Sequence, residues 1–112
     1  MMRRLVRAAI QNATVTRGEG LTLRIDPVLL RAANILPLEE VELVHHATGA
    51  HVVTFAEAAE EGSGDVVAPQ ARTGDTISIL SWGVLHDGQT LAHRAKLLTL
   101  DAENRIVALA EE

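Results

Sequence analysis

Apolar and polar residues alternate along most of the chain with the period of two that marks half-buried strands. Leu21, Leu23 and Ile25 alternate with Thr22 and Arg24, and Val41, Leu43 and His45 alternate with Glu42 and Val44. Residues 6–16 carry Val6, Ile10, Thr14, Val15 and Thr16, the β-branched types that fit a pleated surface. The period changes once. Val28, Leu29, Ala32 and Ala33 recur at helical spacing, behind Asp26 as N-cap and Pro27 in the first turn, with Asn34 suited to a left-handed end. Thr48-Gly49 predicts a turn, and residues 51–55 a returning strand. Further strands are predicted over 66–68 and 76–82, with an edge strand over 95–100. Residues 106–110 read equally as a strand or a fraying tail. Residues 56–61 have helical composition but are few, and Gly62-Ser63-Gly64 ends them; loops are expected at 36–40 and around His86-Asp87-Gly88. Many short strands with one or two short helices predict a small, mainly-β barrel in a single domain over residues 1–112.

Composition narrows the chemistry. The 112 residues are 47% hydrophobic and 22% charged, with a net charge of -5, and no apolar run approaches the ~20 residues of a bilayer span. The basic start through Arg3, Arg4 and Arg7 is too interrupted for a signal-peptide core. Cysteine is absent, which excludes disulfides, a thiol nucleophile and thiolate metal ligands and fits a cytoplasmic location. The acidic balance argues against a nucleic-acid surface. There is no tyrosine to act as a phenolic acid, and one lysine, Lys96, to act as an amine. His45, His46 and His51 form a loose cluster. Neighbours on a strand point to opposite faces, so no zinc site is expected from it, and no metal or cofactor is assigned.

Residues 25–36 (Ile-Asp-Pro-Val-Leu-Leu-Arg-Ala-Ala-Asn-Ile-Leu), Thr48-Gly49, Thr54-Phe55-Ala56, residues 58–63 and Gly74-Asp75 together resemble the pyruvoyl-dependent aspartate 1-decarboxylase family over residues 3–106. The resemblance implies a six-stranded double-psi β-barrel and a homo-oligomer, usually a tetramer with active sites between subunits. It also implies self-cleavage at a Gly-Ser bond ahead of the strand that leads to the small helix. There the serine hydroxyl attacks the preceding carbonyl, and elimination leaves a pyruvoyl electron sink. The matching position here is Leu21-Thr22, or Gly20-Leu21 with the gap placed differently. Other matched positions also depart from the family: Ala9 for a lysine, Gln11 for a histidine, Glu19 and Phe55 for tyrosines, and His51 for an arginine; Thr54 alone is kept.

These departures set the functional expectation. An unprocessed chain with a larger, less charged pocket predicts a cofactor-free cyclase or rearrangement enzyme of antibiotic biosynthesis, acting on a largely apolar, polyketide-like intermediate. Glu19, His51 and Thr54 are its candidate catalytic residues. Gln11, Thr22, Phe55 and Trp82 are its candidate substrate contacts. A dimer or tetramer is expected, with neither nucleic acid nor membrane as partner. Each residue also has a plainer role: Thr22 as a strand threonine, Glu19 as a solvated turn residue, Gln11 and Thr54 as each other's partners, Trp82 as core. His86 and His93 are expected in solvent, and Gly62-Ser63 is read as a structural turn. Two other functions stand beside the first: a non-catalytic ligand- or partner-binding paralogue, and an amino-acid α-decarboxylase using a keto group made from Thr22.

Overall fold

The computed structural model describes residues 1–90 and 92–112. Nine strands dominate it: β1 (Met2–Thr14), β2 (Arg17–Gly18), β3 (Leu23–Ile25), β4 (Glu40–His45), β5 (His51–Ala58), β6 (Val66–Ala68), β7 (Thr76–His86), β8 (Lys96–Leu100) and β9 (Ile106–Glu111). Two helices, α1 (Pro27–Ala33) and α2 (Asp87–Thr90), interrupt them. The strands join in the order β2-β6-β3-β5-β4-β7-β1-β8-β9. The mainly-β expectation holds, with nine strands in place of six. No helix of the described residues is long and apolar enough to cross a membrane.

β1 is the longest strand. It runs antiparallel to β7 and parallel to β8, and its two register breaks, after Val6 and after Ile10, bend it around the core. Ala8, Ile10 and Ala13 point inward against Leu43, Ile77 and Ile79, all fully buried. Strand β7 runs on past the expected end at Trp82 to His86, because residues 2–6 of β1 pair with it in a projecting ribbon. Arg4 stacks there with its guanidinium carbon 4.2 Å from the Trp82 ring centre. Residues 56–61, ambiguous in sequence, divide: β5 continues to Ala58 before the chain turns. The expected edge strand at 95–100 lies inside the sheet instead, between β1 and β9, so β9 is the edge and not a frayed tail. The loop expected at residues 86–88 contains the start of α2.

Under this sheet, Arg7 and the fully buried hydroxyl of Ser81 both donate to Glu39, which also accepts the Leu36 N–H at 3.2 Å. Burial pushes the Glu39 carboxyl up, but Ser81, Leu36 and Arg7 outweigh it and hold the group below its ordinary value.

Asp26 ends β3 and caps α1. Its Oδ1 accepts from the N–H of Val28 at 2.9 Å and of Gly62 at 3.0 Å, and its Oδ2 from the N–H of Gly64 at 2.9 Å. Asn34 closes the other end of α1 in the left-handed conformation (φ 57°, ψ 43°). The carboxylate is 5% exposed. Burial favours its neutral form, yet the three backbone donors and the nearby Arg31 charge outweigh that and lower its pKa. A lowered native pKa means that the stabilisation is complete above the unfolded value and is lost as pH falls through the native one. Asp26→Asn keeps the shape, but the nitrogen that replaces one carboxylate oxygen cannot accept. A loss of about 1–3 kcal/mol is expected. The gap to the parent chain, followed by urea unfolding, should be constant from about pH 8 to pH 5 and narrow below about pH 4.

Candidate functional site

The site is built around the loop that joins β2 to β3. Gly18 on β2 lies so close to the neighbouring backbone that an added Cβ would stand 1.7 Å from the Ala71 carbonyl oxygen. Gly20 then takes the left-handed conformation, φ 76°. The positive φ of this turn thus falls on Gly20, and Leu21 needs none. Leu21 is 87% exposed, and Thr22 is half-buried at the mouth of β3.

Strand pairing decides what the loop meets. β3 runs parallel to β5 with Leu23 beside Ala56, so the same register carried back two residues sets Leu21 beside Thr54. There the Thr54 Oγ1–H donates to the Leu21 carbonyl oxygen at 2.7 Å. This is the carbonyl that precedes Thr22. A hydroxyl bonded to it draws charge toward oxygen and leaves the carbon more open to attack.

Two cavities flank this bond. One, of about 260 Å³, is lined by Glu19, Gly20, Thr22, Arg24 and Val67. Glu19 Oε1 accepts from Arg17 Nε at 2.7 Å and from Arg24 Nη2 at 3.3 Å, so a carboxylate and a guanidinium stand together beside Thr22. The Glu19 side chain is half-exposed. The other cavity, of about 380 Å³, is lined by Leu38, Glu40, Val53, Thr54 and Phe55.

The remaining candidates lie elsewhere. His51 Nδ1 is 3.4 Å from Glu42 Oε2, while the Trp82 indole N–H donates to Glu42 Oε1 at 3.2 Å. These two share a carboxylate, and Trp82 is not among the residues lining the Phe55 cavity. Gln11 and Thr54 do not satisfy one another: Gln11 Oε1 accepts from Thr99 Oγ1 at 3.2 Å. The three clustered histidines diverge. His45 is buried against the Pro69 carbonyl, His46 lies between the hydroxyls of Thr76 and Ser78, and His51 faces Glu42. His93, expected in solvent, is half-buried and donates from Nε2 to the Val6 carbonyl at 2.7 Å. Sequence reasoning missed Arg24 and Glu40. Each alternates within its strand like any surface residue; Arg24 follows Thr22 by two positions on the same face, and Val67 of β6 closes the cavity around the pair.

The aspartate decarboxylase family model matches residues 1–107. The chain belongs to the aspartate decarboxylase family. An aspartate 1-decarboxylase of Listeria monocytogenes is 31% identical over 121 residues, covering 100% of this chain and 94% of its own. "Aspartate 1-decarboxylase 2" of Gloeobacter violaceus is 38% identical over 118 residues, covering 97% of this chain and 94% of the relative. That of Moorella thermoacetica is 33% identical over 118 residues, covering 97% and 91%.

These relatives overturn the expectation of a cyclase for a polyketide-like intermediate, and with it the link to antibiotic biosynthesis. The family is named for an amino-acid decarboxylase, and the match runs over residues 1–107. Reading the missing lysine, arginine and tyrosines as a change of reaction ignored where this chain puts its own charges, Glu19 and Arg24 beside Thr22.

Thr54 is a half-buried anchor whose hydroxyl makes a single hydrogen bond to the loop, so its loss should leave the fold standing. Thr54→Val is expected to cost no more than about 1 kcal/mol, read from the urea midpoint with an unchanged denaturant slope.

Proposed function

We propose that this chain is an amino-acid α-decarboxylase of the aspartate decarboxylase kind that makes its own keto group at Leu21–Thr22. The bond from Thr54 to the Leu21 carbonyl carries this reading. It sets a polarising donor on the one carbonyl that the Thr22 hydroxyl must attack, at the position matching the family's cleavage point. The left-handed turn at Gly20 supports it too, since it relieves Leu21 of the conformation that glycine would otherwise supply.

The Thr22 Oγ1 attacks the Leu21 carbonyl carbon and its proton passes to the departing nitrogen. The peptide C–N bond breaks, and Leu21 is left as an ester of Thr22. Removal of the Thr22 Cα proton expels Leu21 as a free carboxylate. Water then replaces the amine nitrogen, releasing ammonia and leaving a 2-ketobutyryl group at residue 22. That group, once formed, serves as the electron sink for loss of carbon dioxide from an amino acid.

The chain's own residues supply binding. An α-amino acid carries one ammonium and one carboxylate, and the Thr22 cavity offers Glu19 and Arg24 in reach of both. The names of the relatives make aspartate the first substrate to try. His51, Phe55, Gln11 and Trp82 lie on surrounding strands and act, on this reading, at a distance from the keto group or across a subunit boundary. The parallel pairs β1–β8 and β3–β5, each joining strands far apart in sequence, support the double-psi form of the barrel. The family resemblance likewise supports a cytoplasmic homo-oligomer.

Intact-mass spectrometry of the purified chain, before and after incubation at raised temperature, tests the reading. Two fragments are expected, one ending at Leu21 as a carboxylate and one beginning with a ketobutyryl group that borohydride reduces. Thr22→Ala and Thr54→Val should remain one species and release no carbon dioxide from aspartate or a panel of other amino acids. A parent chain that stays at its full 12.0 kDa mass after incubation overturns the proposal.

A further inference from the structure

Arg17, Val67 and Arg24 stand in one row across three strands. Val67 of β6 pairs with Arg17 of β2 on one side and with Arg24 of β3 on the other. Paired residues share a face of the sheet, so both arginine side chains leave on the side of Val67, where the cavity beside Thr22 opens. Glu19 follows Arg17 by two positions, and its Oε1 accepts from Arg17 Nε at 2.7 Å and from Arg24 Nη2 at 3.3 Å. Two guanidinium groups that touch one oxygen stand as close together as the two carboxylates of a short dicarboxylic acid. Glu57 of β5 comes next in the row beyond Arg24 and makes no ion pair with it.

Donors remain free after these contacts. A guanidinium carries five N–H groups in a planar fork. Among the described residues each of these two gives only one of its nitrogens to Glu19, and Glu19 Oε2 has no partner. The surface therefore presents a guanidinium, a carboxylate and a second guanidinium, in that order. An amino acid with a carboxylate on a short side chain presents the complement: carboxylate, ammonium, carboxylate.

We propose that Arg17 is a specificity-determining residue of the Thr22 site and takes the side-chain carboxylate of a short dicarboxylic amino acid. As a step in turnover this rests on the decarboxylase reading above; as a binding contact it does not. The placement follows from the reach of the ligand. Its amine has to approach residue 22, and its α-carboxylate, borne on the same carbon, stays near Arg24, which lies two positions along from Thr22 and lines the cavity. Only the side chain extends further, across Glu19 to the half-exposed Arg17 at the rim. An amide there offers Arg17 a neutral acceptor, and a bond between two charged groups is the stronger. A cationic side chain meets like charge.

Aspartate and asparagine differ in just this group, so their ratio reads the contact. In the matured parent chain kcat/KM is expected to favour aspartate by at least about tenfold. Arg17→Gln should lower kcat/KM for aspartate by about tenfold, through KM, and leave that for asparagine within about twofold; Arg17→Lys should restore most of the preference. Equal losses for both amino acids overturn the proposal, as does an unchanged preference in Arg17→Gln. If that variant keeps the preference while the parent decarboxylates aspartate, the decarboxylase reading stands and the Arg17 assignment alone falls. A second arm needs no maturation. Thr22→Ala retains Arg17, Glu19 and Arg24, and in calorimetric titration it should bind aspartate more tightly than asparagine, with the difference lost in Thr22→Ala/Arg17→Gln. A parent chain that never cleaves sinks the decarboxylase reading and leaves this titration to decide: equal binding of the two amino acids to Thr22→Ala overturns the Arg17 contact as well.

Discussion

The buried carboxylate of Asp26 is the constraint on which the rest of this structure depends. It stands where β3 becomes α1 and accepts three backbone N–H groups, one from the first turn of the helix and two from the turn at Gly62 and Gly64. Buried N–H groups without partners are costly, and a charged acceptor makes strong bonds with them. One side chain thereby ties the start of α1 to a turn 36 residues further along the chain. The Gly62-Ser63 step, which looks like a cleavage point in sequence, is half of this clamp. Asn104 tightens the same corner: its amide accepts from the Thr14 N–H and donates to the Thr14 and Gly64 carbonyls.

With β3 held at that end, its register against β5 is fixed, and so is the place where Leu21 passes Thr54. β6 holds the other flank, since Val67 pairs with Arg17 on one side and Arg24 on the other. Glu19 closes the loop by accepting from both arginines. The loop is thus exposed but determined. Its geometry is set by strand pairing and two ion pairs, with Gly18 and Gly20 where a side chain would collide or strain. Surface ion pairs of this kind add little stability; their effect here is to place charge beside Thr22.

Local signals were legible in the sequence. Asp26, Pro27 and Asn34 mark both ends of α1, because capping is decided within a few residues and each type does one job there. Alternation found β4, and the turn at Thr48-Gly49 placed β5 after it, for the same reason. Illegible were the facts that depend on which strands become neighbours. Residues 95–100 look like an edge because Lys96 and Thr99 break the apolar run, yet the strand is covered on both sides. Glu39 reads as a loop charge and proves to hold Arg7 and Ser81. Thr54 was marked as a candidate by resemblance alone, and its partner, a backbone carbonyl, has no sequence signature at all.

That last point explains why the cyclase reading failed. It compared side chains at matched positions and treated each lost lysine, arginine or tyrosine as a lost function. A carbonyl activated for attack needs none of them. It needs a donor on its oxygen, a hydroxyl on the following residue and a backbone free to bend, and on the proposed reading Thr54, Thr22 and Gly20 fill these roles without a charged group. Charge for a substrate can likewise arise from neighbouring positions, since Glu19 and Arg24 lie in the cavity that contains Thr22. On the proposed reading, exchanging serine for threonine alters the product of self-cleavage by one methyl group and leaves the bond that breaks the same. On that reading the added methyl of Thr22 slows approach to the attacking geometry by restricting χ1 rotation. The cost of the substitution therefore falls on the rate of maturation more than on the chemistry that maturation provides.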